Sequence, residues 1–353
     1  MLIVQDTCQR EVLLPLLGAA DPARIVVWRH AEPVSAARFL AQVHAVAAML
    51  PDGPAAVNLC EDRYAFLVAF CAIVLRGQTN LLPSSRAPQA VDEVMAAHPG
   101  CYALGEQELD PAPRGYCRLP LPDMRAAPAC DPEWPLIPAD QVVAIGYTSG
   151  STGKPGASAK TWGNFHTSTT ANVSMLQAAL GARLEVVATV PPQHMYGLEM
   201  SVLLPLLGDI GVHAGRPFFP ADVAAALAGL PAPRLLVTTP VHLRALVESG
   251  VALPSVAGLL SATAMLPVEL ARAAERRFHA PVLEVFGSTA TCALASRPPT
   301  TGDAWNLYDA VTSHPRPAGT AIPAPSLALS AALAVTGRRP HAGRGLPPAA
   351  RPP

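Results

Sequence analysis

Val142-Val-Ala-Ile-Gly-Tyr-Thr-Ser-Gly-Ser-Thr-Gly-Lys-Pro155 is a short apolar run that opens into alternating glycine and hydroxyl residues. The apolar half reads as a buried strand. The half beyond it presents bare backbone N–H groups and rotatable O–H donors converging on one place, which suits a polyphosphate. The P-loop NTPase spacing does not fit: Pro155 follows Lys154, and no glycine stands five positions before Gly153. The cations support the phosphate reading. Among 25 basic residues only Lys154 and Lys160 are lysines, and both fall in or just after this stretch. A chain that otherwise spells its cations as arginine has a use here for a compact ammonium.

Composition narrows the rest. With 353 residues the chain is long enough for two or three packed layers, and a net charge of −1 without a basic stripe gives no reason to expect nucleic acid as a partner. The seven cysteines, at 8, 60, 71, 101, 117, 130 and 292, form no CxxC pair and no grouping with histidine, so they read as reduced thiols of a cytoplasmic protein. Tyr64 to Leu75, the longest uncharged apolar run, is too short to insert through a bilayer. No signal peptide is evident at Met1.

Outward from the loop, period and punctuation alternate strand with helix. Helices are expected over Ala36–Leu50 after the cap Ser35, over Tyr64–Arg76 after the cap Asp62, and over Pro88–Ala97, with Gly77 as a stop. Strands are expected at Ala55–Cys60 and Gln78–Pro83. Beyond the loop come a helix from about Asn164 to Leu180, a strand over Leu184–Val190, an apolar helix over Leu198–Leu207, and three more strand–helix pairs ending in Val282–Phe286. The class is α/β, two βα-layered subdomains with parallel-rich sheets, divided at 1–135 and 136–312 by the Pro-rich passage Asp110–Asp140. After Asp309 no acidic residue occurs while five arginines do, so 313–353 reads as a low-complexity tail, disordered and consistent with a shifted reading frame.

The order Tyr-Thr-Ser-Gly-Ser-Thr-Gly-Lys-Pro resembles the phosphate segment of the AMP-forming acyl- and aryl-acid ligases, the adenylate-forming superfamily. Three later segments follow in that family's order. Pro191-Pro-Gln-His-Met-Tyr-Gly197 resembles its Pro-x-x-His-x-x-Gly segment, Leu260-Ser-Ala-Thr-Ala-Met265 its Ser-Gly-Gly-Ala-Pro turn, and Val285-Phe-Gly-Ser-Thr-Ala290 its Tyr-Gly-x-Thr-Glu segment. The resemblance implies ATP and Mg²⁺ as cofactors, a carboxylic acid as substrate, and CoA or an acyl-carrier protein as acceptor. By the same resemblance Thr148, Ser149, Gly150, Ser151, Thr152, Gly153 and Lys154 hold the β- and γ-phosphates. Ala262 and Thr263 pass over the adenine, with Phe286, Gly287 and Ser288 completing the nucleotide site and Thr289 meeting the α-phosphate. His194, Tyr196 and Gly197 line the carboxylate pocket. Lys154, His194 and Thr289 stand as the catalytic set. The Lys160-Thr-Trp162 segment is most similar to the aryl-polyene or xanthomonadin-type synthetases, which implies a hydroxybenzoate-like or related aryl acid.

The chain departs from that pattern in places that bear on activity. Ala290 stands where the family has a glutamate that helps to hold Mg²⁺, and alanine has no oxygen to offer. Loss of one pre-placed electrostatic partner typically costs about 3–4 kcal/mol, or 10²–10³ in rate. The family's lysine after the proline is here Gly156, and no lysine follows Lys160, so the small C-terminal domain with its catalytic lysine is not expected. Thr301-Gly-Asp303 lies too close behind Thr289 to be the family's ribose-binding Thr-Gly-Asp and reads as a chance match. An impaired ligase and an inactive nucleotide-binding remnant are both compatible with these departures.

Overall fold

A computed structural model describes residues 11–29, 32–119, 121–122, 133–148, 156–181, 183–309 and 311, together with four short backbone strands beyond them. Two sheets carry the architecture. The smaller has six strands in the order Gly156–Thr161, Val142–Thr148, Thr79–Leu82, Ala55–Asn58, Tyr102–Gly105, Tyr116–Arg118. All neighbours are parallel except the first pair, in which Gly156 lies opposite Thr148 and the two strands form a hairpin around residues 149–155. In the larger sheet, Val282–Ser288, Gly258–Ser261, Arg234–Thr238, Glu185–Ala188, Gly211–His213 and Ile25–Arg29 run parallel in that order. Antiparallel strands Cys292–Arg297 and Trp305–Leu307 extend one edge, and Glu32–Ser35 the other.

The two sheets exchange sequence. Ile25–Arg29 and Glu32–Ser35 come from the first third of the chain and join the larger sheet, whereas Val142–Thr148 and Gly156–Thr161 lie beyond position 135 and join the smaller one. Sheet membership therefore crosses the 135/136 position in both directions. Between the sheets lies the helix Arg63–Leu75, whose residues from Arg63 to Val74 are all buried. A helix apolar on every face has no solvent side. One continuous core joins it to Ala56 and Leu82 of the smaller sheet and to Val26, Val186 and Ala188 of the larger.

Local signals account for most boundaries. Ser35 accepts the Arg38 N–H at 3.3 Å and starts the helix Ala36–Ala47, Asp62 accepts that of Ala65 at 2.9 Å and starts Arg63–Leu75, and Gly77, at φ 71°, closes it. Three expectations need correction. Gly156–Thr161 is a strand, where the sequence reading ran from loop to helix; its Gly-Ala-Ser-Ala-Lys-Thr has no apolar alternation, and the hairpin ladder rather than propensity makes it extended. The Pro-rich passage is not wholly a connection, because Tyr116–Arg118 adds a sixth strand and Leu136–Pro138 pairs with Leu13–Pro15. Leu198–Leu207 is interrupted by a π-helical turn, Glu199–Leu203. Within the tail, His314–Arg316, Gly319–Ile322 and Leu333–Val335 form a small antiparallel sheet and Gly345–Leu346 pairs with the Trp305–Leu307 edge; the rest of 312–353 lies outside the described residues.

Candidate active site

At the carboxyl ends of the larger sheet's strands, the place where open α/β sheets take ligands, three of the four segments converge on one cavity of ≈ 600 Å³. His194, Met195, Tyr196 and Glu199 form one wall, Ala262 to Met265 another, and Val285 to Thr289 with Trp305 a third. Of the residues expected at the site, His194, Tyr196, Ala262, Thr263, Phe286, Gly287, Ser288 and Thr289 line this cavity. Ser149, Gly150, Ser151, Thr152, Gly153 and Lys154 lie outside the described residues. The strand that leads into them is tied to the cavity all the same: a Cβ placed on Gly146 would stand 2.8 Å from Thr289 Cγ2 and 3.3 Å from Met195 Cε. Glycine at this position lets the strand Val142–Thr148 approach both walls. Thr148 is exposed at its end, 3.4 Å from the Gly156 carbonyl that its hydroxyl donates to, and is not part of the lining.

Each wall has an identifiable support. Gly197 does not line the cavity; a Cβ there would sit 1.9 Å from the Pro191 carbonyl oxygen, so its role is to let the Pro191–Gly197 turn close on itself. Tyr196 donates its hydroxyl to the Leu260 carbonyl at 2.9 Å, which ties the second segment to the third. Thr263 has φ 78°, the left-handed region that favours glycine, at one of the positions where the resembling turn carries glycine. Burial and the nearby Arg216 guanidinium lower the His194 imidazole below its ordinary basicity, which favours the neutral ring at the cavity mouth. Glu284 and Arg297 pair at 2.8 and 2.7 Å, and the guanidinium lies 4.6 Å from the Trp305 ring centre, holding that ring beside Phe286.

Arg63 was not expected at the site and holds it from below. It is fully buried and donates to the Ser201 hydroxyl and to the carbonyls of Ala188, Val190, His213 and Gly215 at 2.7 to 3.3 Å. Burial pulls its guanidinium down to about 10. These bonds close the strand ends from which the His194 segment leaves.

Lys160, the lysine that follows the loop in the sequence, lies off the cavity. The residue is 1% exposed and absent from the cavity lining, and its ammonium donates to the Ala290 carbonyl. A cation in the hairpin thus grips the backbone of the residue that replaces the family's glutamate. Glu199, a single acid within the apolar run Leu198–Leu207, is the other functional candidate missed. It accepts the Ala293 N–H at 3.1 and 3.0 Å and the Asn172 amide at 3.3 Å, and burial pushes its carboxyl up to about 7. Its isolation in that run was the available signal.

A profile of the AMP-binding enzyme family matches residues 18–326. The chain belongs to this family. Over 186 residues, 49% of the chain, it is 34% identical to a sulfoacetate–CoA ligase of Cupriavidus necator, and the match covers 35% of that relative's length, so it spans about a third of it. The fold of this AMP-binding enzyme is that of the large N-terminal domain of adenylate-forming ligases. It is similar to o-succinylbenzoate CoA synthetase of Bacillus subtilis in complex with its acyl-adenylate intermediate, with a TM-score of 0.69, 20% identity, and coverage of 87% of this chain and 86% of that one. It is likewise similar to apo MatB of Rhodopseudomonas palustris, with a TM-score of 0.70, 19% identity, and coverage of 87% and 68%.

The family implies Mg²⁺, and the residues described at this turn do not fit it. Ala290 supplies no side-chain oxygen, the Ser288 and Thr291 hydroxyls bond each other at 2.9 Å, and an ammonium already occupies the Ala290 carbonyl. Among the described residues, no three His, Cys, Asp or Glu side chains form a metal-holding group.

Proposed function

We propose that this AMP-binding enzyme activates a carboxylic acid with ATP and passes the acyl group to a thiol of CoA or a carrier protein. The observation that carries the reading is the convergence of the His194, Ala262 and Phe286–Thr289 segments on one cavity, with the strand of the phosphate loop wedged against Thr289. In the reaction a carboxylate oxygen attacks the α-phosphorus, the bond from that phosphorus to the bridging oxygen breaks, and pyrophosphate leaves. The acyl adenylate then loses AMP to the incoming thiolate. In this scheme Lys154 and the hydroxyls and amides of Thr148 to Gly153 hold the leaving pyrophosphate, Phe286 packs on the adenine, and Thr289 meets the α-phosphate. His194 and Tyr196 line the acid's pocket. The protein's work is positioning and charge stabilisation, which is why small, hydroxyl and cationic residues dominate these segments. The similarity of Lys160-Thr-Trp162 to aryl-polyene synthetases favours an aryl acid.

Ala290 favours a second reading, a nucleotide- or adenylate-binding protein without turnover. Acid-dependent exchange of labelled pyrophosphate into ATP, run over a panel of aryl and fatty acids, separates the two. Exchange that depends on one acid supports the ligase, and ATP binding without exchange on any acid overturns it in favour of the second reading.

A further inference from the structure

The segment Ser288–Ala293, which brings Thr289 to the cavity, is closed from within and clamped from two sides. Ser288 and Thr291 exchange amide and hydroxyl bonds at 2.9 to 3.2 Å, so the chain turns at Thr289 and Ala290. Outside that ring Lys160 donates to the Ala290 carbonyl, and Glu199 accepts the Ala293 N–H at its two oxygens, at 3.1 and 3.0 Å. The clamps are opposite in charge, and Lys160 is near enough to favour the ionised form of Glu199. They also come from different sheets. Lys160 stands on Gly156–Thr161 opposite Ala144 of Val142–Thr148, and Gly146 of that same partner strand abuts Thr289. One hairpin therefore meets the turn at two successive residues, by close backbone approach at Thr289 and by a buried cation at Ala290. Burying a lysine this completely is costly unless its charge is matched and its donors are used.

This arrangement fixes the turn without a divalent ion and opposes one. A metal brought to the Ala290 carbonyl would stand against the Lys160 ammonium, in buried surroundings that screen like charges weakly. The acids lining the cavity among the described residues are already bonded, Glu284 to Arg297 and the Leu266 N–H, Glu199 to the Ala293 N–H and the Asn172 amide. We propose that Lys160 is the positioning residue of the Thr289 turn, holding it from the protein side for a nucleotide phosphate, and that this chain takes ATP without Mg²⁺. Lys160 acts through the backbone and touches no ligand, since it does not line the cavity. The inference rests on the reading above that the Phe286–Thr289 segment meets the nucleotide.

Calorimetric titration of the full chain with ATP, once in excess EDTA and once in excess Mg²⁺, tests the metal half, and the two affinities are expected to agree within a few-fold. Lys160→Met, which keeps the length of the side chain and removes its donor, tests the residue. AMP should bind it at least about tenfold more weakly than it binds the wild type, the order expected for a lost hydrogen bond from a charged group. Adenosine should bind the two alike within a few-fold, because Phe286 keeps its own support from Trp305 and Arg297. A merely structural lysine would cost adenosine and AMP equally. ATP binding at least about tenfold tighter with Mg²⁺ than with EDTA, the order of one pre-placed partner's loss at its smallest, overturns the proposal. So does equal loss of AMP and adenosine in Lys160→Met, or an unchanged AMP affinity. Where Lys160→Met does not fold, the wild-type comparison in the two media decides. Failure of the nucleotide reading itself is seen separately, as absence of binding by ATP, AMP and adenosine in both media, and takes the inference with it.

Discussion

Ala290 and Glu199 each make the site's chemistry turn on one side chain. At Ala290 the backbone carbonyl is held by Lys160 while the side chain offers nothing to a metal. Ala290→Glu restores an oxygen donor beside Thr289, and ATP affinity measured by calorimetry should then become about tenfold more dependent on Mg²⁺, a fraction of what one pre-placed partner contributes in catalysis. An affinity that stays insensitive to Mg²⁺ counts against assigning Val285–Ala290 to the nucleotide. Glu199 leaves its mark on stability. Its carboxyl is raised from an ordinary 4.5 to about 7, so between these values the folded chain holds a proton that the unfolded chain releases. The contribution is fully favourable below about 4.5 and is lost as pH rises through 7, on the order of 3 kcal/mol across the window. Urea midpoints at pH 5 and pH 7.5 should therefore differ more in the wild type than in Glu199→Gln, and equal differences would contradict the buried, proton-sharing carboxyl.

Elements place these residues, and they were unevenly legible. The helix Pro88–Ala97 lies where the sequence reading put it, with proline at its first turn. The strand Gly156–Thr161 is silent, since its small residues acquire extended structure only from pairing with Val142–Thr148. That silence left the register of Lys160 open in the sequence, and alternation along the strand turns it inward. His194, Tyr196, Phe286 and Thr289, which the structure brings to one cavity, were named from motif order, which carries information that local propensity lacks. Arg63 was missed for the opposite reason, as no pattern marks a cation whose partners are carbonyls up to 152 residues away. Those carbonyls make its removal costly. Arg63→Ala leaves the acceptors on Ala188, Val190, His213 and Gly215 without a donor, at roughly 1–3 kcal/mol for each that water cannot reach. A loss of at least about 3 kcal/mol in urea unfolding is expected, and a loss below about 1 kcal/mol would show that these strand ends hold without the clamp.

On the scale of the whole molecule, the exchange of strands between sheets predicts how the chain comes apart. Ile25–Arg29 and Glu32–Ser35 are needed by the larger sheet and Val142–Thr148 and Gly156–Thr161 by the smaller, so neither sheet is complete within residues 1–135 or within the residues after them. The core repeats this dependence. The buried helix Arg63–Leu75 packs in one cluster with residues of both sheets, and Trp162 spans the chain by donating its indole N–H to the Pro15 carbonyl at 3.1 Å. Losing either sheet exposes that helix on a face with nothing polar to show to water, which couples the two losses into one. Urea unfolding followed by far-UV circular dichroism and by tryptophan fluorescence should give coincident transitions, and residues 1–135 produced alone should lack cooperative unfolding. Because the cavity is built on strand ends of the larger sheet while the strand Val142–Thr148 belongs to the smaller, a nucleotide held as proposed, between Thr289 and the segment after that strand, would raise both transitions together. Two separated transitions, only one of them shifted by ATP, would mean that the sheets stand independently and that the site belongs to one of them alone.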